Sequence, residues 1–166
     1  MHRCGQAREA GAAYLMLLLL IMVMGLGLVA VSEVWHTTIR REKEQELLFV
    51  GNQYRQALEL FYAQTPGGHK QRYPATLENM LKDPRVPGTK RYLRKIFADP
   101  ITGSKDWGLL RAPGGGIIGV YSMSIEEPIK KSNFGRLNNA FEDKKRYKDW
   151  VFIQRSSQAP IIPPKK

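Results

Sequence analysis

Residues 9–49 read EAGAAYLMLLLLIMVMGLGLVAVSEVWHTTIRREKEQELLF, and the fold turns on how this stretch is read. From Gly11 to Val31 there is no charged residue. At about 1.5 Å of rise per residue, roughly 20 such residues match the ~30 Å hydrocarbon core of a bilayer. A helix of that length with no polar face has nowhere to be buried inside so small a protein. The expectation is a transmembrane helix. A secretory signal peptide is the rival: its apolar core is usually about 7–15 residues long, and Ala30–Ser32 offers a weak cleavage site. Flanking charge leaves the orientation open, because Arg3 and Arg8 before the run face Arg40, Arg41 and Lys43 after it.

The second half of the stretch is charged but strongly helical. Trp35 stands where an interfacial anchor belongs. REKEQELL, residues 41–48, consists of good helix formers, and Glu42 and Glu46, with Arg41 and Lys43 between and beside them, suit an exposed face. No proline, glycine or serine-rich joint lies between Ser32 and Leu47. Leu47, Val50, Tyr54, Ala57, Leu58 and Phe61 then recur at spacings of three and four, the signature of an apolar helix stripe. Arg55, Gln56 and Glu59 take the opposite face. TPGG at 65–68 supplies the stop. One helix is predicted from about Ala12 to Gln64, roughly 80 Å long. Residues 12–32 would lie in lipid and residues 33–64 on a head. An anchor, a joint and a separate helix are the alternative.

The chain carries 26 Lys and Arg against 15 Asp and Glu, a formal charge of +11. Residues 1–64 balance, so the excess belongs to residues 65–166. A basic head suits acidic protein partners, anionic lipid or nucleic acid, or is a solvated surface. The one cysteine, Cys4, precedes the apolar run, so the head holds no intramolecular disulfide.

The N-terminus resembles the type IV pilin and type II secretion pseudopilin superfamily. REAGAAYLMLLLL (8–20) has the order of a basic leader, a glycine and an apolar helix. The resemblance implies cleavage by a prepilin peptidase after Gly11, N-methylation of Ala12, and a leader spanning residues 1–11. Two positions depart from the family: Ala12 stands where it usually has Phe, and Met16 where most members have Glu. An intramembrane carboxylate is costly and usually purposeful, so Met16 implies an atypical subunit or one held by packing alone. YPATLENMLKD (73–83), LRKIFADPITGSKDWGLL (93–110) and GVYSMS (119–124) resemble, in order, segments of the major pseudopilins. Their calcium site is not carried over, because Glu126 and Glu127 stand beside Lys130 and Lys131 in EEPIKKSNFGRLNN. No metal or other cofactor is expected.

The head reads as α+β. PATLENMLKD suggests a short helix burying Leu77, Met80 and Leu81, and KRYLRKIF a further turn with Tyr92, Leu93 and Ile96 inward. WGLLRA, PGGG and IIGVYSMS read as a hairpin. Ile117, Tyr121 and Met123 would face one way and Ile118, Val120 and Ser122 the other. Asp149 to Arg155 gives a third strand, apolar on both faces and therefore placed centrally. The expected fold class is a long N-terminal transmembrane helix extending into a small pilin-like head (65–155) with a three-stranded antiparallel sheet. Residues 156–166, ending APIIPPKK, form an extended tail.

Catalytic chemistry is poorly supported. PGGGIIG lacks the Lys-Ser/Thr of a phosphate loop and leads into a strand, so it reads as a turn. His2, His36 and His69 show no ligand or nucleophile spacing. Asp99 and Asp106 can serve as a carboxylate pair or cap turns. Two basic clusters stand out: Lys90, Arg91, Arg94 and Lys95, then Lys144, Lys145, Arg146 and Lys148, with Tyr92 and Tyr147 among them. They read as solvated faces, or as a grip on nucleic acid. The first expectation is a structural subunit of a secretion or pilus-like fibre, not an enzyme. It would sit in the inner membrane with its head in the periplasm and assemble by helix packing, with Gly25 and Gly27 allowing close approach beside Met16. Implied partners are other pseudopilins, the prepilin peptidase, membrane lipid and the inner-membrane assembly platform with its ATPase. A DNA-binding minor pilin and a membrane-anchored periplasmic sensor or enzyme are the alternatives.

Overall fold

The computed structural model describes residues 6–65 and 73–155, without the side chains of residues 6–10, 25–34 and 36. Two compact units are present, Met1–Arg40 and Arg41–Lys166. Helix α1, Gln6–Ala63, contributes to both.

In the first unit the described side chains of residues 11–24 are all exposed, among them Tyr14, Met16 and Leu19 at 62%, 76% and 64%. Among the described residues no helix is long and apolar enough to cross a membrane. This overturns the predicted transmembrane span and, with it, the single-pass inner-membrane placement and periplasmic head. Leader residues 1–5, the TPGG stop from Pro66 onward and the tail 156–166 lie outside the described residues.

The second unit is organised by the stripe that the spacing predicts. Leu47, Val50, Tyr54, Ala57, Leu58 and Phe61 are each at most 3% exposed. They join Met80, Leu93, Trp107, Phe141, Trp150 and Phe152 in one core. Arg55 departs from the prediction: it is 7% exposed, not on an open face. Gly51 explains how the helix meets the sheet here, since any Cβ on it would collide with the Phe152 ring.

The end of α1 is satisfied by borrowed groups. Its last turn contains no basic residue, yet its terminal carbonyls need donors. Thr65 Oγ1 donates to the Tyr62 carbonyl at 2.9 Å. Arg85 Nη2 donates to the Phe61 carbonyl at 2.8 Å, placing a cation at the negative end of the helix dipole.

The sheet contains strands β1 (Gly108–Arg111), β2 (Ile117–Tyr121) and β3 (Val151–Ile153), antiparallel in the order β1-β2-β3. The third strand is thus an edge strand, contrary to the central position expected from its apolar faces. Phe152 and the preceding Trp150 are fully buried, while Val151 and Ile153 are half-buried. The hairpin turns through Gly115, whose φ of 85° suits glycine, and Ala112 N donates to Gly116 O at 2.8 Å. Register slips between Leu110 and Arg111, where Arg111 pairs with Ile117 and Ile118 has no partner across the ladder. Such a bulge breaks the period of two. Ile117 and Val120 are therefore both fully buried, although strict alternation put them on opposite faces.

The predicted helix at 75–83 is reduced to a single 3-10 turn, Glu78–Met80, and no helical turn forms over 90–97. Both segments still deliver their apolar residues: Met80 and Leu93 are core, with Leu77, Leu81, Tyr92 and Ile96 packed against it. Tyr92 and Leu93 backbone N–H groups both donate to the Met80 carbonyl, at 2.8 and 3.0 Å, which holds them without a helix.

Candidate functional site

Two surfaces stand out, one apolar and one basic. The apolar surface is the segment of α1 that begins at the predicted cleavage point. Gly11 and Ala12 are exposed in the helix, and Gly11 has open space where a Cβ would stand. From Tyr14 to Met24 every residue is a large apolar one with at least 45% of its surface exposed. Ala13, Met16, Leu17, Leu20 and Val23 line a shallow apolar depression. Gly25 and Gly27 are helical, and their surroundings lie outside the described residues.

The basic surface lies on the second unit. Gly108, Tyr121 and Val151 are register partners across the sheet, and Leu110 shares their face by the period of two. The opposite face carries Val120 and Phe152 into the core. Gly108 makes room for the Tyr121 ring, which occupies the space a Cβ would need. Lys144, Lys145, Arg146 and Lys148 border this outer face, enclosing with it a cavity of about 600 Å³ that Asp143 and Asp149 also line.

Segment 143–150 is held in place by buried anchors. Asp143 adopts a left-handed φ of 58°, a conformation that Asp tolerates better than most residues. Its N–H donates to Lys131 O at 3.1 Å. Tyr147 N and Lys148 N donate to Glu126 O and Ser124 O, at 3.2 and 3.0 Å. The Tyr147 and Trp150 rings meet edge to face at 5.3 Å, and both are at most 1% exposed. Of the basic side chains, Arg146 contacts Asp149 at 3.4 Å.

The first basic cluster is spread over irregular chain. Lys90 lies over the Tyr92 ring at 5.6 Å and Lys95 over Phe97 at 5.2 Å, while Arg91 and Arg94 are exposed. The tyrosines of both clusters turn inward. Tyr92 Oη donates to Asp83 at 2.9 Å and Tyr147 Oη to Glu44 at 2.9 Å. Tyr147 has no open ring face for base stacking. Asp99 and Asp106 serve their own turns. Asp99, fully buried, accepts from Ser122 Oγ at 2.6 Å, Ile101 N at 2.9 Å and Thr102 Oγ1 at 3.1 Å. Asp106 accepts from Ser104 Oγ at 2.7 Å.

Sequence reasoning missed the buried polar anchors. Glu44, which lies between Glu42 and Glu46 and drew no reading from the sequence, is 3% exposed and accepts from Ile129 N at 2.6 Å as well as from Tyr147. Its position three residues before Leu47 was the available signal, because it continues the buried stripe by one turn. Arg55 Nη1 donates to Asn138 Oδ1 and Leu137 O, both at 2.9 Å. Burial and nearby Arg155 push its guanidinium below the ordinary value, against the pull of Glu59. Asp83 is 1% exposed and paired with Arg85 at 2.8 Å. The Arg85 hydrogen bonds outweigh burial and hold the Asp83 carboxyl at about 2. Tyr54, hydrogen-bonded to Phe97 N at 3.0 Å, is pushed by burial to about 12. Comparison of the chain with protein-family models, with curated proteins and with solved structures found no match.

Proposed function

We propose that the chain is a structural, non-catalytic subunit of the pseudopilin type, part of a fibre in a type II secretion or related pilus-like machine that drives protein export. The observation supporting this reading is the Tyr14–Met24 segment of α1, apolar and exposed at every position. A helix apolar all round requires burial against other apolar surface, and parallel copies of the same segment supply it. Met16 fits such a seam, since an unbranched thioether adapts to irregular packing. The order of leader, Gly11 and Ala12 supports processing by a prepilin peptidase. The further partners on this reading are other pseudopilins and the assembly platform with its ATPase.

The test is the mass of the mature N-terminus in cells with and without prepilin peptidase. The expected result is a chain starting at methylated Ala12 only when the peptidase is present. An intact Met1 start in both strains, or a cut after Ser32, overturns the reading.

A further inference from the structure

We propose that the outer face of the sheet, bordered by Lys144, Lys145, Arg146 and Lys148, is a docking site for an acidic protein segment that inserts an aliphatic side chain. The inference concerns the head alone and does not rest on the subunit reading above.

The floor and the rim ask for different chemistry in one ligand. The floor is apolar: Leu110, Tyr121 and Val151 lie side by side on the outer sheet face, each only half-buried. Apolar surface left open in this way gains by being covered. The rim is cationic, with four basic side chains against Asp143 and Asp149, and Asp149 is already engaged by Arg146 at 3.4 Å. An acidic segment with an aliphatic residue matches both parts, and charge complementarity would set its orientation.

The rim is also preorganised. Burial of Tyr147 and Trp150 and the backbone bonds to Ser124, Glu126 and Lys131 hold segment 143–150 before any partner arrives. Binding there would spare the cost of ordering a loop. The cavity of about 600 Å³ falls within the range of small binding sites.

Nucleic acid fits less well. Single-strand binders offer open aromatic faces for successive bases. Here Tyr147 is buried, and Tyr121 is the one aromatic residue of the floor, with its ring lying across Gly108. Two rim carboxylates would also face incoming phosphates.

The test is fluorescence anisotropy with the purified full-length chain and three labelled probes: a peptide alternating Glu and Leu, one alternating Glu and Ser, and single-stranded oligo(dT). The Glu/Leu peptide is expected to bind about tenfold more tightly than the Glu/Ser peptide, and more weakly as salt rises. The combined variant Lys144→Gln, Lys145→Gln, Arg146→Gln should weaken it about tenfold, with thermal unfolding unchanged because all three side chains are exposed. Val151→Ser should weaken the Glu/Leu peptide and leave the Glu/Ser peptide as it was. The proposal is overturned if the triple variant binds the Glu/Leu peptide as well as the parent does. It is equally overturned if both peptides bind alike, or if oligo(dT) binds more tightly than the Glu/Leu peptide and loses that binding in the triple variant.

Discussion

Leu19 and Leu58 both lie on α1, and Leu19 exposes 64% of its surface while Leu58 exposes none. Around Leu19 the apolar residues are consecutive, so they point in all directions and no single neighbouring surface within one small chain can cover them. Around Leu58 they recur at three and four, so they gather on one face, and the sheet and the loops of the second unit cover that face. Residue type is the same in the two segments; periodicity decides which is buried in folding and which is left exposed. The contrast assigns stability to residues 44–61 and, on the reading proposed above, assembly to residues 12–24.

The largest expected effect is on the stable side. Phe152→Ala should cost about 3–5 kcal/mol in chemical denaturation, since its ring is fully buried, reaching from β3 to α1 at Gly51. Gly51→Ala should cost about 1–3 kcal/mol by overpacking the same contact, and Phe152→Leu should recover part of that loss by shortening the opposing side chain. A neutral Gly51→Ala would show that the helix and sheet are less closely apposed than described. Next, Leu58→Ala should cost about 2–5 kcal/mol.

A smaller effect comes from the buried ion pair. Asp83 sits at about 2 in the folded chain, below the ordinary 3.8. Its contribution is present above the ordinary carboxylate value and fades as pH falls from about 4 towards 2, and at neutral pH it amounts to about 2 kcal/mol. Asp83→Asn should remove that part of the acid dependence, which denaturation at about pH 7, 4 and 2.5 measures. A variant with the parent's acid profile would place the pairing energy elsewhere.

The smallest effect on stability sharpens the comparison most. Leu19→Ser should change unfolding free energy by less than about 0.5 kcal/mol, because the side chain is exposed in the lone chain. It should nevertheless reduce side-by-side association, read by cross-linking through cysteines placed at Met16. If Leu19→Ser destabilises the monomer as much as Leu58→Ala does, the division of labour along α1 fails.

Much of the fold was legible wherever a local pattern carried it. The stripe from Leu47 to Phe61, the hairpin around PGGG and the strand after Asp149 each show a period or a turn signal. The errors have physical causes. The uncharged apolar run suggested a membrane span, yet among the described residues no helix is long and apolar enough to cross one. Trp150–Ile153 looked central because both faces are apolar, yet β3 is an edge strand whose outer residues stay half-buried. PATLENMLKD has a helical pattern, but its ends are pulled into loop contacts. Lys82 and Asp83 lead directly to Pro84, and Asp83 N donates to Lys90 O at 3.0 Å, so only one 3-10 turn survives. In the candidate site, the lysines and arginines were readable as a charge run. Their apolar floor was not, since Leu110, Tyr121 and Val151 come from three different strands.

What the sequence alone determined is everything carried by neighbours along the chain: the helix stripe, the glycine turn, the basic runs and the unbroken apolar segment after Gly11. Only the tertiary structure decided which polar groups are buried. Arg55 and Asp83 look like ordinary surface residues in one dimension, and Glu44 differs from one only by its place one turn before the stripe. Glu44 and Arg55 are held inside by partners 103 and 83 residues away, and Asp83 by Arg85 and Tyr92, because a buried charge is tolerated only where donors and acceptors converge on it.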